Sequence, residues 1–517
     1  MPTPNPAQTS GTTVSSWFAT AAPLPSFPPL TSNLTTDVVV VGGGIAGLTT
    51  AYLLGLEGKQ VVLLEDGELT SGETGRTTAH LSFALDDRYT TLEELFGKDG
   101  ARLAADSHRA AVDRIERIVQ QEQIDCDFTR LPGYLFLPQS GSPQELDDEL
   151  KAAHRAGLVD VQRLPDANAQ GFRTGECLVF PNQGQFHILK YLSGLAQAIE
   201  RQGGRIFTRT HVAEVHGGPG ARVVTDGGQE VRAQAVVVAT NTPFNDRVVM
   251  HTKQHPYRTY VIGVRVPKGS VTKALYWDTA DPYHYVRLQE VDNAGYDLLI
   301  VGGEDHKTGQ EPDPEEHLRC LEFWTKAHFP TAGPVEYRWS GQVMEPVDGL
   351  GYAGRNPLDD ENVYIITGDS GHGMTHGTLG PIIITDLILG RENPWTQLYD
   401  PGRVTMKFES VKEYVKENVQ VAADYAELLT GGDAKTSEEV TPGTGAIIGR
   451  GPLKVAVYKD PQGQVHECSA VCPHLGCIVH WNGLENSWDC PCHGSRFDAY
   501  GKLMAGPANT NLPPVTE

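Results

Sequence analysis

An apolar run, Asp37 to Val41, leads into a glycine-rich turn, an Ala/Leu-rich stretch from Ala46 to about Leu56, and a second apolar run, Val61 to Glu65. Short continuous apolar runs bounded by turn residues predict buried strands, and the longer stretch between them predicts a helix, so the segment reads as a βαβ unit. The pattern returns at Val236-Val237-Val238-Ala239-Thr240 and at Val363-Tyr364-Ile365-Ile366-Thr367. One sheet assembled from separated stretches explains the recurrence, with the aromatic-rich stretches 85–175 and 250–335 forming a second domain against it. From about Asp400 to Ala434 the chain is charged and helical in pattern, and Gly431-Gly432-Asp433 and Thr441-Pro442-Gly443 mark turns at its C-terminal side. Beyond that linker, runs such as Val455-Ala456-Val457-Tyr458 predict a small β domain.

Length and charge narrow the functional classes. A chain of 517 residues exceeds one hydrophobic core and predicts roughly three folding units. With 42 basic and 65 acidic side chains the formal charge is −23, which repels nucleic acid and anionic lipid. No apolar run reaches the ~18–20 residues of a membrane-spanning helix, and the first thirty residues show no apolar core of a secretory signal. The expectation is a soluble, cytoplasmic protein with no nucleic-acid partner and no transmembrane segment.

Gly42-Gly43-Gly44-Ile45-Ala46-Gly47 fits G-x-G-x-x-G between the first strand and the helix, and Glu65 ends the next strand. Gly42 permits the tight turn, Gly44 lets backbone approach a pyrophosphate, and Gly47 permits close helix–strand packing, with the helix N-terminus attracting the anion. Glu65 can accept hydrogen bonds from an adenosine ribose. Spacing alone does not separate FAD from NAD.

Over residues 35–395 the sequence resembles the D-amino-acid-oxidase superfamily of flavoproteins. Ser71-Gly72-Glu73-Thr74-Gly75-Arg76-Thr77-Thr78-Ala79-His80 is similar to that family's flavin-contacting loop, and Val212 stands where a residue beside adenine is expected. Gly368-Asp369-Ser370-Gly371-His372-Gly373-Met374-Thr375 resembles the segment whose amides face the flavin pyrimidine. The resemblance implies FAD, with Gly42, Gly44, Ile45, Ala46, Gly47, Glu65, Arg76, Thr77, Thr78, Val212, Ala239, Thr240, Gly371, His372, Gly373, Met374 and Thr375 as its contacts. Members that oxidise α-amino acids often place an arginine on a late strand to hold the substrate carboxylate as a fork. Here that position is Val343, so the resemblance does not support a simple α-amino acid bound in the usual way, and a polyamine-like, N-alkyl or otherwise different amine stands at least level with it.

Five of the eight cysteines, Cys468, Cys472, Cys477, Cys490 and Cys492, crowd into one segment, which signals metal, disulfide or both. Cys472-x-His474, fifteen residues, then Cys490-x-x-His493 supplies two thiolates and two imidazoles, a set that suits a Rieske centre or zinc. The surroundings, Cys472-Pro473-His474-Leu475-Gly476-Cys477 and Cys490-Pro491-Cys492-His493-Gly494-Ser495, resemble the cluster loops of Rieske proteins of the cytochrome bc type. That resemblance implies a [2Fe–2S] cluster on Cys472, His474, Cys490 and His493, and a disulfide between Cys477 and Cys492. It also implies a cluster-directed hydroxyl on Ser495, and a lower potential because Phe497 stands where high-potential members have tyrosine.

Asp369, His372 and His376 could form a 2-His-1-carboxylate iron site, which would make the small domain the front end of an oxygenase. They fall inside the flavin-facing segment, so the preferred reading is flavin-contacting backbone. His80 and His376 are the candidate catalytic groups nearest the isoalloxazine, and Tyr283, His284 and Trp339 are candidate pocket walls.

The expected fold is α/β: a Rossmann-like FAD-binding domain with an interleaved α+β substrate domain, plus a small all-β Rieske domain. The boundaries expected are an extension at 1–34, FAD-binding parts at about 35–84, 176–249 and 336–395, substrate-domain parts at 85–175 and 250–335, a helical linker at 396–437 and the Rieske domain at 438–517. The expected function is hydride transfer from an amine or amino-acid-like small molecule to FAD, with electrons leaving singly through the cluster to an external carrier or quinone. The alternatives are a Rieske-to-flavin reductase or monooxygenase driven by an external donor, and a non-catalytic redox sensor. An NAD(P)H-driven version is disfavoured because the chain holds no second G-x-G-x-x-G turn set between an apolar strand run and a helical stretch.

Overall fold

The computed structural model describes residues 10–245, 249–291, 294–311, 313–404, 418, 432–450 and 453–515. Most of the stretch read as a helical linker lies outside the described residues.

Six strands form the first sheet, in the order Tyr352–Arg355, Val363–Thr367, Ala235–Val238, Val38–Val41, Val61–Leu64, Arg205–Phe207. All neighbours run parallel except Tyr352–Arg355, which closes one edge antiparallel. The three central strands are buried along their whole length, which explains why they read as unbroken apolar runs rather than alternating ones. Helices Ile45–Leu56, Ile188–Arg201 and Gly373–Ile388 cover this sheet.

A second, nine-stranded sheet carries the other layer. Its long strands Gln254–Pro267, Tyr296–Lys307 and Val335–Pro346 pair antiparallel, with Gln254–Pro267 in the middle. Strands Cys177–Gln185 and Val335–Pro346 belong to this sheet, whereas the boundaries expected from sequence put them with the FAD-binding parts. Apolar strand pattern tells that a face is buried, not which sheet's edge the backbone joins, so the two layers interleave more finely than the pattern shows.

The C-terminal region is all-β, with a three-stranded sheet, Thr444–Arg450, Leu453–Lys459 and Val465–Ser469, and a four-stranded one from His480–Asn482 to Leu503–Ala505. Its core gathers Trp488, Phe497, Ala456, Ala470 and the clustered cysteines. The region packs directly on the nine-stranded sheet: the amide of Gln342 donates to the carbonyl of Gly494 at 3.0 Å. The N-terminal extension runs along this seam. Thr13 donates its backbone N–H to Glu485 at 2.9 Å, Arg496 donates to the carbonyl of Ser10 at 2.7 Å, and the buried Trp17 donates to the carbonyl of Thr77 at 2.6 Å. Among the described residues, no helix is long and apolar enough to cross a membrane.

Candidate functional site

A cavity of about 320 Å³ is lined by the N-termini of the helices that begin at Ile45 and Gly373 and by residues of the nine-stranded sheet such as Gly341, Gln342 and Val343. Gly42, Gly44, Ile45, Ala46, Glu65, Thr77, Thr78, Val212, Ala239, Thr240, Gly371, His372, Gly373 and Met374 all line it. Gly42 has φ +111°, and a Cβ there would lie 2.4 Å from the carbonyl oxygen of Ala239. Gly47 does not reach the cavity; a Cβ on it would lie 1.9 Å from the carbonyl oxygen of Gly42, so it serves helix–strand packing. Glu65 accepts from the N–H groups of Gly43 and Gly67, and burial pushes its carboxyl up to about 7. A carboxylate so desolvated gains from a hydroxyl partner, and a bare helix N-terminus gains from an anion. The residues present therefore fit a dinucleotide.

Two residues expected to contact FAD do not present their side chains to it. Arg76 borders the cavity, but its buried guanidinium crosses the seam to Glu485 at 2.8 Å and to the carbonyls of Thr13 and Ser340 at 2.8 Å. Its partner is 409 positions away, and a loop motif carries no signal of that distance. The Thr375 hydroxyl points away from the cavity, to His108 Nδ1 at 2.8 Å, because it lies on the inner face of its helix. Among the expected walls, Tyr283 lines the cavity, while His284 is held between Asp278 and Glu304 at 2.9 and 3.1 Å. Trp339 is buried and donates to the carbonyl of Arg76 at 2.7 Å.

His80 and His376 both line the cavity. Burial, aided by Arg287, pushes His80 down to about 3; its Nε2 donates to the carbonyl of Val286 at 3.3 Å and its Nδ1 accepts from Thr78 at 3.0 Å. Burial pushes His376 down to about 4. Both rings are neutral near pH 7. The triad reading of Asp369, His372 and His376 has no support, since these three form no metal-binding group among the described residues. His372 Nε2 instead accepts the backbone N–H of Asp86 at 2.9 Å.

Part of the cavity lining is acidic and aromatic. Asp86, Asp369, Tyr283, Tyr285, Trp277 and Val343 border it. Behind them Ser370 bridges Asp87 and Glu345 at 2.9 Å each, and burial raises both carboxyls. Among the described residues, the one arginine bordering the cavity is Arg76, whose guanidinium is already paired with Glu485.

The second site is built from two loops of the β region that close alike: Gly476 N–H donates to the carbonyl of Cys472 at 2.9 Å, and Gly494 N–H to that of Cys490 at 3.1 Å. Cys477 and Cys492 join the loops as a disulfide. The sulfurs of Cys477, Cys490 and Cys492 crowd within 4.8 Å, and with two of them bonded to each other only Cys490 of these three remains a thiol. Cys472 and Cys490 are both buried, and hydrogen bonds from Cys490 and Ser495 help hold the Cys472 thiol below its ordinary range. The rings of His474 and His493 stand 5.0 Å apart, nearly perpendicular. Two thiols and two imidazoles converging from disulfide-joined loops fit a [2Fe–2S] cluster with one iron on each ligand pair. Phe497 is fully buried in the same core.

Sequence reasoning missed that the β region also walls the first cavity. Leu503, Met504, Ala505, Gly506, Ala508 and Asn509 line it, and Asn509 donates to the carbonyl of Ala213 at 2.7 Å. It also missed the seam itself. Around the buried carboxylates of Glu485 and Asp489 stand Arg76, Arg258 and Arg496, with Arg496 on Asp489 at 3.0 Å and Arg258 within 3.9 Å of Glu485 and 3.8 Å of Asp489.

Comparison with known proteins finds a counterpart for each region. A family described as FAD dependent oxidoreductase matches residues 37–387, and the Rieske [2Fe-2S] domain matches residues 433–516. The chain is 30% identical over 498 residues to YhfW of Bacillus subtilis (strain 168), whose name describes a Rieske 2Fe-2S iron-sulfur protein, covering 95% of this chain and 96% of that one. It is 29% identical over 392 residues to gamma-glutamylputrescine oxidoreductase of Escherichia coli (strain K12), covering 73% and 89%. Glycine oxidase from Geobacillus kaustophilus shares the fold at a TM-score of 0.59 with 20% identity, covering 72% of this chain and all of that one.

Proposed function

Since this chain belongs to the FAD dependent oxidoreductase family and carries a C-terminal Rieske [2Fe-2S] domain, we propose that it dehydrogenates a cationic amine in the flavin cavity and delivers the electrons to its own cluster. The observation that carries the reading is the shared wall: Gln342 lines the cavity and donates to Gly494 in a cluster loop. A neighbour so placed makes the cluster the near acceptor, with an external carrier or quinone beyond it.

When bound, FAD supplies a two-electron hydride acceptor and the cluster a one-electron carrier. The chain's own residues select and prepare the substrate. Val343 offers no fork for an α-carboxylate, while Asp86 offers a carboxylate for an ammonium. The backbone bond to His372 fixes the loop that carries Asp86. Tyr283 and Tyr285 keep their phenol protons, burial raising both well above the ordinary range, and with Trp277 they shed water from the bound amine. A desolvated cavity lowers the pKa of the reacting nitrogen and favours the neutral amine, so no strong base is needed there. The neutral His80 and His376 suit such a site as fixed walls. The gamma-glutamylputrescine in the name of the E. coli relative is an amine of this class.

The test is anaerobic mixing with primary, secondary and N-methyl amines and diamines while flavin absorbance and the reduced-cluster EPR signal are followed, with NADH and NADPH as controls. Flavin bleaching by an amine followed by the cluster signal is the expected outcome. Loading of both centres by a nicotinamide alone overturns the reading.

A further inference from the structure

His251 belongs to the FAD dependent oxidoreductase region, in the turn just before strand Gln254–Pro267, and is 1% exposed. Its ring does not serve the flavin cavity, which it does not line. It meets the ring of His474 edge-on at 4.6 Å between centroids and the ring of His493 at 5.5 Å. With the 5.0 Å contact between His474 and His493, the three imidazoles close a triangle. Two corners are candidate cluster ligands, and the third comes from the other cofactor's domain.

The strand that follows His251 also meets the cluster loop that carries His493. Two strand residues from the nine-stranded sheet pin the second cluster loop: a Cβ on Gly494 would lie 2.7 Å from Pro256 and 2.8 Å from the Gln342 amide. Pro256 and Gln342 are two residues apart in register on paired strands, since Pro256 faces Met344 and Arg258 faces Gln342. The orientation of a ligating imidazole is set by what meets the part of the ring that faces away from the metal. Here a group from outside the Rieske domain meets both ligand rings.

We propose that His251 is a positioning residue for the iron–sulfur centre, supplied by the FAD dependent oxidoreductase region: it orients both imidazole ligands and fills the gap through which an electron crosses between the two cofactor sites. The crossing rests on the electron flow proposed above; the orientation of the ligands does not.

The experiment compares full-length holoprotein with His251→Ala, His251→Phe and His251→Gln, after iron and flavin contents are measured. The readouts are the EPR g values and midpoint potential of the dithionite-reduced cluster, and flavin-to-cluster transfer after laser-flash reduction with a 5-deazaflavin donor. His251→Ala is expected to shift the g values and potential and to slow the transfer about ten-fold, the usual cost of losing an outer partner of a metal ligand. His251→Phe, which refills the ring's space, is expected to regain most of the rate, and His251→Gln serves where the alanine variant fails to fold. Unchanged g values, potential and rate in soluble, fully loaded variants overturn the proposal. Absence of flash-induced transfer in the unsubstituted protein overturns the electron flow proposed above, while the spectra and potential still decide the role of His251.

Discussion

Gln342 and Gly494 are joined by a 3.0 Å hydrogen bond from the side-chain amide of the first to the carbonyl of the second, and Gln342 also lines the flavin cavity. Gly494 itself comes directly after the candidate ligand His493. One residue thus touches both cofactor sites, and the rest of the seam holds that contact in register. Arg76, whose backbone borders the same cavity, reaches Glu485 between two strands of the Rieske domain. The polar seam is buried, so its charges are strong only while the two surfaces stay docked.

Replacing Glu485 by alanine leaves Arg76 and Arg258 facing each other without the carboxylate that both approach. Breaking a buried pair from one side costs about 3–5 kcal/mol. Urea unfolding of the holoprotein is expected to show that loss. Because Leu503 to Asn509 wall the flavin cavity, the variant is also expected to release FAD more readily, measured as free flavin fluorescence after dilution.

The same group sets an acid limit on stability. Burial alone would raise Glu485, but Arg76, Arg258 and Arg496 outweigh it and bring the carboxyl down to about 2 from an ordinary 4.5. A depressed folded-state value means stability fully present above the unfolded value and lost as pH falls towards 2. Asp489 behaves alike, held at about 2 although burial pushes it upward. The raised acids Asp87 and Asp305, both near 7 through burial, act with the opposite sign between about 3.8 and 7, and they cancel when two proteins that both carry them are compared. Denaturation midpoints measured between about pH 5 and 2 should therefore fall less steeply for Glu485→Gln than for the unsubstituted protein.

Much of this was legible in sequence wherever the cause is local. The turn at Gly42, the acid at Glu65 and the paired Cys-x-His and Cys-x-x-His loops each do their work within a few residues, so spacing reveals them. The seam was not legible, because Arg76 and Glu485 are ordinary surface-type residues until a fold brings them together across 409 positions. His251 gave no signal for the same reason: a single histidine before a strand has no motif. The extension before residue 35 read as featureless, yet Thr13 and Trp17 fasten it to both domains. Sheet membership of Cys177–Gln185 and Val335–Pro346 depends on edge pairing that apolar pattern does not encode.

Phe497 packs at full burial in the cluster domain and brings no hydroxyl. Phe497→Tyr keeps the ring and adds a donor where cluster-directed hydrogen bonds raise the potential. A redox titration followed by EPR should show a higher midpoint for the variant; an equal or lower midpoint would mean that the new hydroxyl does not reach the cluster.

The Cys477–Cys492 bridge spans 15 residues and joins the two ligand loops. Closing a loop of that length is worth about 3 kcal/mol in chain entropy. Replacing both cysteines by serine should lower the stability of the cluster domain by about that amount. The loss of visible cluster absorbance on heating is expected to come at a lower temperature, with flavin absorbance initially retained.

The acidic end of the cavity makes the sharpest claim about substrate. Asp86 borders the cavity beside Tyr283, and among the described residues no guanidinium there is free to bind an anion, since Arg76 is paired with Glu485. A charge-assisted hydrogen bond is worth about 1.5–3 kcal/mol, which corresponds to about ten-fold or more in affinity. Asp86→Asn should therefore raise KM for a diamine by about ten-fold or more while changing KM for a monoamine of the same length little. Because the aspartate holds the distal ammonium and not the reacting nitrogen, kcat at saturation should move less than KM. Equal effects on the diamine and the monoamine would place Asp86 outside the distal site and leave Val343 as the one remaining argument against an α-amino acid substrate.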